Sequence, residues 1–384
     1  MSYFTDEHRL FRQSMRDFLA AEVTPNIDTW EEAGEIPRSI FKRFGEMGYF
    51  GLRQPESHGG LDLDFWYTVI ALEEFARVNS GGFGAAVGAH AYLALEHLRA
   101  EGNEEQKERY LAPGILGEKV GCLALTEPDR GSDLRSLTTS ARLDGDHYLI
   151  NGSKTFITNG VLSDFIVVAV QTEKGISMML VDRETEGVTA TSLKKLGWRA
   201  SDTGEISFSE VRVPKANLLG QDGHGFYYIM QHFVLERLMM AVGGVAAAEY
   251  ALEVTLQYMN EREAFGRKIN KFQVLRHRVA QMASEIERDR QFCYYVCDAF
   301  NRGDYMVQEA AMAKLLGTQL ADRVTTQCLQ HFGGYGFMEE YPLARMFRDA
   351  RLGQIGGGTS EIMCEIISKM VIDGQAYSNP RHGA

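Results

Sequence analysis

The period of the apolar residues changes twice along the chain, and each change limits what can follow. From Thr5 to about Gly117 the pattern is helical: Leu10, Phe11, Met15, Phe18 and Leu19 recur at steps of three and four, broken at Pro25, Pro37 and the 55–60 segment. Near Val120 the texture becomes β. Tyr148 to Asn151, Phe165 to Val170, Ile176 to Asp182 and Glu205 to Val213 are β-branched or alternating runs separated by Asp-Gly, Asn-Gly and Pro-containing turns, which predicts seven or eight strands. After Gly225 the helical period returns, through segments near 226–260, 272–301, 306–332 and 358–373. The expected domains are therefore 1–119, 120–225 and 226–384, helical, β and helical, with no repeat or low-complexity linker between them.

Composition narrows the class. With 384 residues and 45% apolar content the chain has material for a large core, and its formal charge of −12 speaks against a nucleic-acid partner. No run approaches 18 uninterrupted apolar residues, so no membrane span is expected. Five scattered cysteines and a polar N-terminus without a signal-peptide core suggest reduced thiols and a cytoplasmic location. Cys293 and Cys297 stand four apart but lack a second ligand pair, so no metal is expected there.

Gly82-x-Gly84-x-x-x-Gly88 resembles a dinucleotide fingerprint, but helical sequence flanks it on both sides, and the motif needs a strand before its turn. The same small-residue stretch, Gly81 to Ala89, either lines a pocket or packs helices. Gly356-Gly357-Gly358-Thr359-Ser360 lacks the lysine of a phosphate loop; Thr359 or Ser360 suits a helix N-cap, with Glu361 and Glu365 in the first turns. Ile229, Phe233, Glu236, Met240 and Gly243 step by four, three, four and three, so Glu236 interrupts an apolar stripe. A carboxylate so placed is either paired with a buried cation or kept for chemistry.

Five ordered segments then converge. Leu125-Thr126-Glu127-Pro128-Asp129-Arg130-Gly131-Ser132-Asp133 ends an apolar run, and Lys154-Thr155-Phe156-Ile157-Thr158-Asn159-Gly160 follows in the same β region. Arg262-Glu263-Ala264-Phe265-Gly266, Gln330-His331-Phe332-Gly333-Gly334 and Gly358-Thr359-Ser360-Glu361 lie in the second helical region. In order and spacing these resemble the acyl-CoA dehydrogenase family over nearly the whole chain. The resemblance implies an α+β multidomain fold: an N-terminal helical domain, a central β-barrel-like domain and a C-terminal four-helix bundle, with FAD between the last two.

It further implies that Leu125, Thr126, Gly131 and Ser132 line the flavin and its diphosphate, that Phe156, Ile157 and Thr158 flank the ring, and that Thr158 bonds near N5. Arg262, Phe272, Gln273, Gln330, His331, Phe332, Gly333 and Gly334 would hold the adenosine diphosphate, partly across a subunit interface, and Thr359, Ser360 and Glu361 complete the cofactor set. Asp129 and Arg130 depart from the small residues common in the family. The family's usual base position, before Gly-Thr, is here Gly357. Leu235-Glu236-Arg237 instead matches the subset that includes isovaleryl-CoA and long-chain acyl-CoA dehydrogenases, whose base lies on an earlier helix and precedes an arginine. Glu236 is then the expected catalytic base, with Ser132, Leu235, Arg237, Gly357 and Gly358 near the substrate. The implied activity is α,β-dehydrogenation of a fatty acyl-CoA, with electrons passed to an electron-transferring flavoprotein by a homotetramer, a dimer of dimers. An oxidase or flavin monooxygenase on the same fold, or a non-catalytic binding factor, are the alternatives.

Overall fold

The computed structural model describes residues 3–373. Packing divides them into two units: residues 3–15, 69–79 and 234–373 in one, 16–68 and 80–233 in the other.

The second unit holds an eight-stranded sheet: β1 Gly121–Ala124, β2 Ser140–Asp144, β3 His147–Thr158, β4 Phe165–Thr172, β5 Gly175–Asp182, β6 Val188–Ser192, β7 Thr203–Pro214 and β8 Leu218–Leu219. The order is β6-β7-β3-β2-β4-β5-β8, with β1 parallel beside β4. The barrel-like expectation is corrected here. The sheet is mixed and does not close, because β6 pairs only with β7 at one end and β8 only with β5 at the other. The sequences explain the positions. Phe165 to Val170 is apolar at every residue and buried throughout, as a strand covered on both faces requires. β7 alternates, burying Ile206, Phe208, Val211 and Val213 while Glu205, Ser209, Glu210 and Arg212 face outward. The β3–β7 pairing shifts register between Ile150 and Gly152 and again between Lys154 and Ile157. The second irregularity holds the segment expected to flank the ring.

The first unit is helical. It contains the greater part of Gly225–Glu261, then Gln273–Asn301, Val307–Phe332 and Ser360–Ile372, within a residue or two of the segments expected from periodicity, and a further helix, Pro342–Ala350, that periodicity did not mark. Gly225–Glu261 is long and apolar enough to span a membrane, yet Val234, Leu235, Leu238, Ala241, Val242 and Val245 are buried in protein, as in a core helix. Gly244 and Gly317 mark its crossing with Val307–Phe332. A Cβ on Gly244 would lie 2.6 Å from the Gly317 carbonyl oxygen, and one on Gly317 would lie 2.7 Å from that of Ala241. Only glycine permits so close a backbone approach.

Candidate active site

In the sheet unit, two turns are tied together by buried charge. Glu127 and Lys154 are buried and 2.9 Å apart, and the ammonium also donates to the Leu125 carbonyl at 2.9 Å. Glu127 accepts from the Thr138 amide at 2.7 Å, its hydroxyl at 2.8 Å and the Thr139 amide at 2.8 Å. Desolvation raises the Glu127 pKa, but these hydrogen bonds outweigh it and hold the carboxyl at about 2. Burial brings Lys154 down to about 8 against the pull of Glu127. Thr155 N donates to the Thr126 carbonyl at 2.9 Å, and the Thr126 hydroxyl donates back to the Thr155 carbonyl. Leu125 and Thr126 are thereby fixed against the end of β3.

The reach of each candidate differs. Gly131 and Ser132 are exposed on the turn, and Arg130 folds back onto the carbonyls of Asp129 and Ser136, at 2.8 and 3.2 Å, while Asp129 is exposed. Phe156 is 70% exposed at φ +62°, in the left-handed region, within the β3 irregularity. A bulky residue held there costs about 1–3 kcal/mol, a strain that clusters at functional sites. Ile157 has its side chain in the sheet core, so only its backbone is available to a ligand; Thr158 is half-buried. Trp198, missed in the sequence, is a second bulky residue at positive φ, +53°. It also explains Gly81 and Gly82. A Cβ on Gly81 would lie 2.3 Å from the Trp198 indole nitrogen, and one on Gly82 would lie 2.8 Å from the 198–200 backbone, so close packing accounts for these two small residues.

In the helical unit, a cavity of about 450 Å³ is lined by Arg262, Gln330, His331, Phe332, Gly333 and Gly334 together with Tyr258 and Tyr335. Six candidates separated by up to 72 positions are thus gathered. Tyr258 stacks on Phe332 with centroids 4.0 Å apart, and the Arg262 guanidinium sits 5.4 Å from the centre of the Tyr335 ring. Phe272 and Gln273 do not line it; they stand at the start of Gln273–Asn301, with Arg267 over the Phe272 ring at 4.2 Å.

The same unit carries the carboxylate. Among the described residues Glu236 has no hydrogen bond or salt bridge, so the ion-pair alternative fails for the folded protein. Burial raises its pKa, opposed at longer range by the charges of Arg237 and Lys314. The stripe of Phe233, Glu236, Met240 and Gly243 is only half-buried, whereas Leu235 and Arg237 point into packed surroundings at 2% and 6% exposure. Gly357 lies directly opposite: a Cβ built there would be 3.5 Å from Glu236 Oε1 and 3.8 Å from its Cδ. Gly357 and Gly358 take φ of +61° and +86°, and Lys314 Nζ, fully buried, donates to the Gly358 carbonyl at 2.5 Å. Thr359 then caps Ser360–Ile372 through the Ile362 amide, with Glu361 in the first turn. Lys314 was not anticipated. Its signal was the one used for Glu236, a single charge among Ala310, Ala311, Ala313 and Gly317.

Family profiles for the acyl-CoA dehydrogenase N-terminal, middle and C-terminal domains match residues 5–118, 122–211 and 223–372. The mitochondrial long-chain specific acyl-CoA dehydrogenase of Sus scrofa is 37% identical over 377 residues, covering 96% of this chain and 87% of that protein. The crystal structure of acyl-CoA dehydrogenase from Geobacillus kaustophilus has a TM-score of 0.94 at 41% identity, over 96% of this chain and 99% of that one. A glutaryl-CoA dehydrogenase from Mycobacterium smegmatis, in complex with FADH2, has a TM-score of 0.93 at 28% identity, over 98% and 97%. All three parts of a flavoprotein oxidoreductase are present in order. The chain belongs to the acyl-CoA dehydrogenase family, and its cofactor is FAD.

The residues present fit that cofactor. His331 Nε2 is buried without a hydrogen-bond partner in the wall of the Arg262 cavity, and a Cβ on Gly333 or Gly334 would meet nothing within 4 Å. An arginine, an unsatisfied imidazole nitrogen and open backbone suit a diphosphate-bearing nucleotide.

Proposed function

We propose that this chain oxidises a fatty acyl-CoA to the trans-2-enoyl-CoA as a step of fatty acid β-oxidation, with Glu236 removing the α proton and an electron-transferring flavoprotein as electron acceptor. The observation that carries the reading is the seat of Glu236, an unpaired carboxylate on a half-open apolar stripe against Gly357. Burial raises its proton affinity toward that of an activated α carbon, opposed by the charges of Arg237 and Lys314. Lys314 also holds the 357–359 turn through the Gly358 carbonyl, which positions the Gly357 amide as a donor for the thioester oxygen. FAD would supply the acceptor for the β hydride and both of its electrons. In the helical unit Arg262 and the 330–334 segment would hold an adenosine diphosphate, and in the sheet unit the 125–132 and 156–158 turns would contact a flavin. A homotetramer belongs to the same proposal, supported by Phe272 and Gln273 standing outside the cavity that gathers the other adenosine-diphosphate candidates.

Glu236→Gln keeps the size and helix preference of the side chain but cannot accept a proton. Anaerobic bleaching of the flavin by acyl-CoA should slow by roughly 10²–10⁴-fold with FAD retained. Bleaching at the parental rate would assign the base elsewhere.

A further inference from the structure

A histidine–glutamate–histidine cluster outside the machinery above has a different chemistry. His97 and Glu101 stand four apart at the end of the helix Leu95–Glu101, on one face, and His232 approaches them from the first turns of Gly225–Glu261; all three belong to the sheet unit. His232 Nε2 is 3.1 Å from both Glu101 oxygens, His97 Nδ1 is 3.7 Å from Glu101 Oε2, and the three ligand atoms lie within 4.8 Å of one another. The imidazole centroids are 4.2 Å apart.

The side chains are shielded, with exposures of 1%, 8% and 13% for His97, Glu101 and His232. Two features are unexplained by packing. His97 Nδ1 is buried with no hydrogen-bond partner and is aimed into the cluster, the Glu101 oxygen being too far to accept from it. Glu101 forms salt bridges only with the two histidines among the described residues, whereas its neighbour Glu96 is satisfied by Arg99 at 2.6 Å and Arg53 at 3.5 Å. A shielded carboxylate facing imidazoles calls for a cation, either a proton on a ring or a metal ion.

The distances accommodate a metal. Zinc bonds of about 2.0–2.1 Å in a tetrahedron place neighbouring ligand atoms about 3.3 Å apart, and the edges at 3.1 and 3.7 Å bracket that value. The third edge is within 4.8 Å. Two imidazoles and one carboxylate select a borderline divalent ion over magnesium or calcium, which prefer all-oxygen shells. We propose that His97, Glu101 and His232 form a zinc-class metal site that fastens the Leu95–Glu101 helix to the first turns of Gly225–Glu261.

The test uses untagged, flavin-loaded protein dialysed against chelator and then against Zn²⁺, with metal counted per chain. One retained equivalent is expected, lost in His97→Gln and in Glu101→Gln, together with a Zn²⁺-dependent rise in Tm that both variants lack. Should the variants fail to fold, Co²⁺ in the unmutated protein decides. An intense d–d band beyond the flavin absorption reports tetrahedral coordination, and a weak octahedral spectrum or none overturns the proposal. Zinc uptake no greater than in the chelator-treated protein, or uptake unchanged by Glu101→Gln, overturns it as well and leaves a proton shared by the cluster.

Discussion

If Glu236 and the 357 position address the same space, the base can be moved from one to the other. A Cβ on Gly357 would lie 3.5 Å from the Glu236 carboxylate oxygen and 3.8 Å from its carbon. A glutamate places its carboxyl carbon about 2.5 Å beyond Cβ by ordinary bond geometry, so one rooted at 357 spans most of that gap. The old side chain must leave first, because glutamine at 236 would still fill the space; Glu236→Ala clears it. Glu236→Ala alone should slow anaerobic flavin bleaching by roughly 10²–10⁴-fold, about 3–5 kcal/mol of barrier. Adding Gly357→Glu should return the rate to within about 100-fold of the parent, since a misplacement near 1 Å costs that much. The new residue must adopt φ near +61°, which for a side chain with a Cβ costs about 1–2 kcal/mol and should lower Tm. Stopped-flow reduction, FAD content and melting separate these effects. A folded, flavin-loaded double variant no faster than Glu236→Ala would refute the convergence of the two positions.

Arg262→Ala should weaken FAD binding by about 10–100-fold, the worth of a charged hydrogen bond, with little effect on reduction once reloaded; titration of apoprotein with FAD measures it, and unchanged affinity removes Arg262 from the cofactor site. Lys314→Met removes a cation that opposes the burial of Glu236, so the acid limb of the reduction rate should move to higher pH; an unmoved limb would show that Lys314 only holds the Gly358 carbonyl. Lys154→Met leaves Glu127 buried with its threonine donors alone, a loss of about 3 kcal/mol at neutral pH. Because folding lowers the Glu127 pKa, the unfolded chain binds more protons below the ordinary value of 4.5, so its stabilisation is lost as pH falls from there toward 2; melting of Glu127→Gln should lack that part of the slope.

Periodicity was enough for the element types and the three-part order, because each helix and strand carries its own apolar face. It could not show whether the sheet closes. That depends on which strands meet at the ends, and neither β6 nor β8 records in sequence that it has a single neighbour. Glu236 and Lys314 share one sequence signature, an isolated charge in an apolar helix, whereas His97, Glu101 and His232 come together from two helices far apart in sequence and share no local pattern. Of the ring-flanking residues, Phe156 and Ile157 look alike in sequence; the β3 irregularity turns one outward and buries the other. That Gly357 faces Glu236 is a through-space fact that no local pattern holds.

That juxtaposition also explains why one position must stay empty of charge. Carboxylates at both 236 and 357 would sit within a few ångströms of each other in a shielded setting, where like charges cannot both ionise, and they would titrate as a coupled pair with one step driven upward. Lys314 cannot neutralise both, since burial already brings it down to about 8 and its ammonium is engaged with the Gly358 carbonyl. Glycine at 357 therefore does two things at once: it adopts a left-handed backbone, and it places no second carboxylate beside Glu236. Gly357→Glu in the otherwise native chain should shift the acid limb of flavin reduction upward rather than add a second working base. A pH profile identical to the parent, in protein shown to be folded and flavin-loaded, would mean that the 357 side chain points away from Glu236.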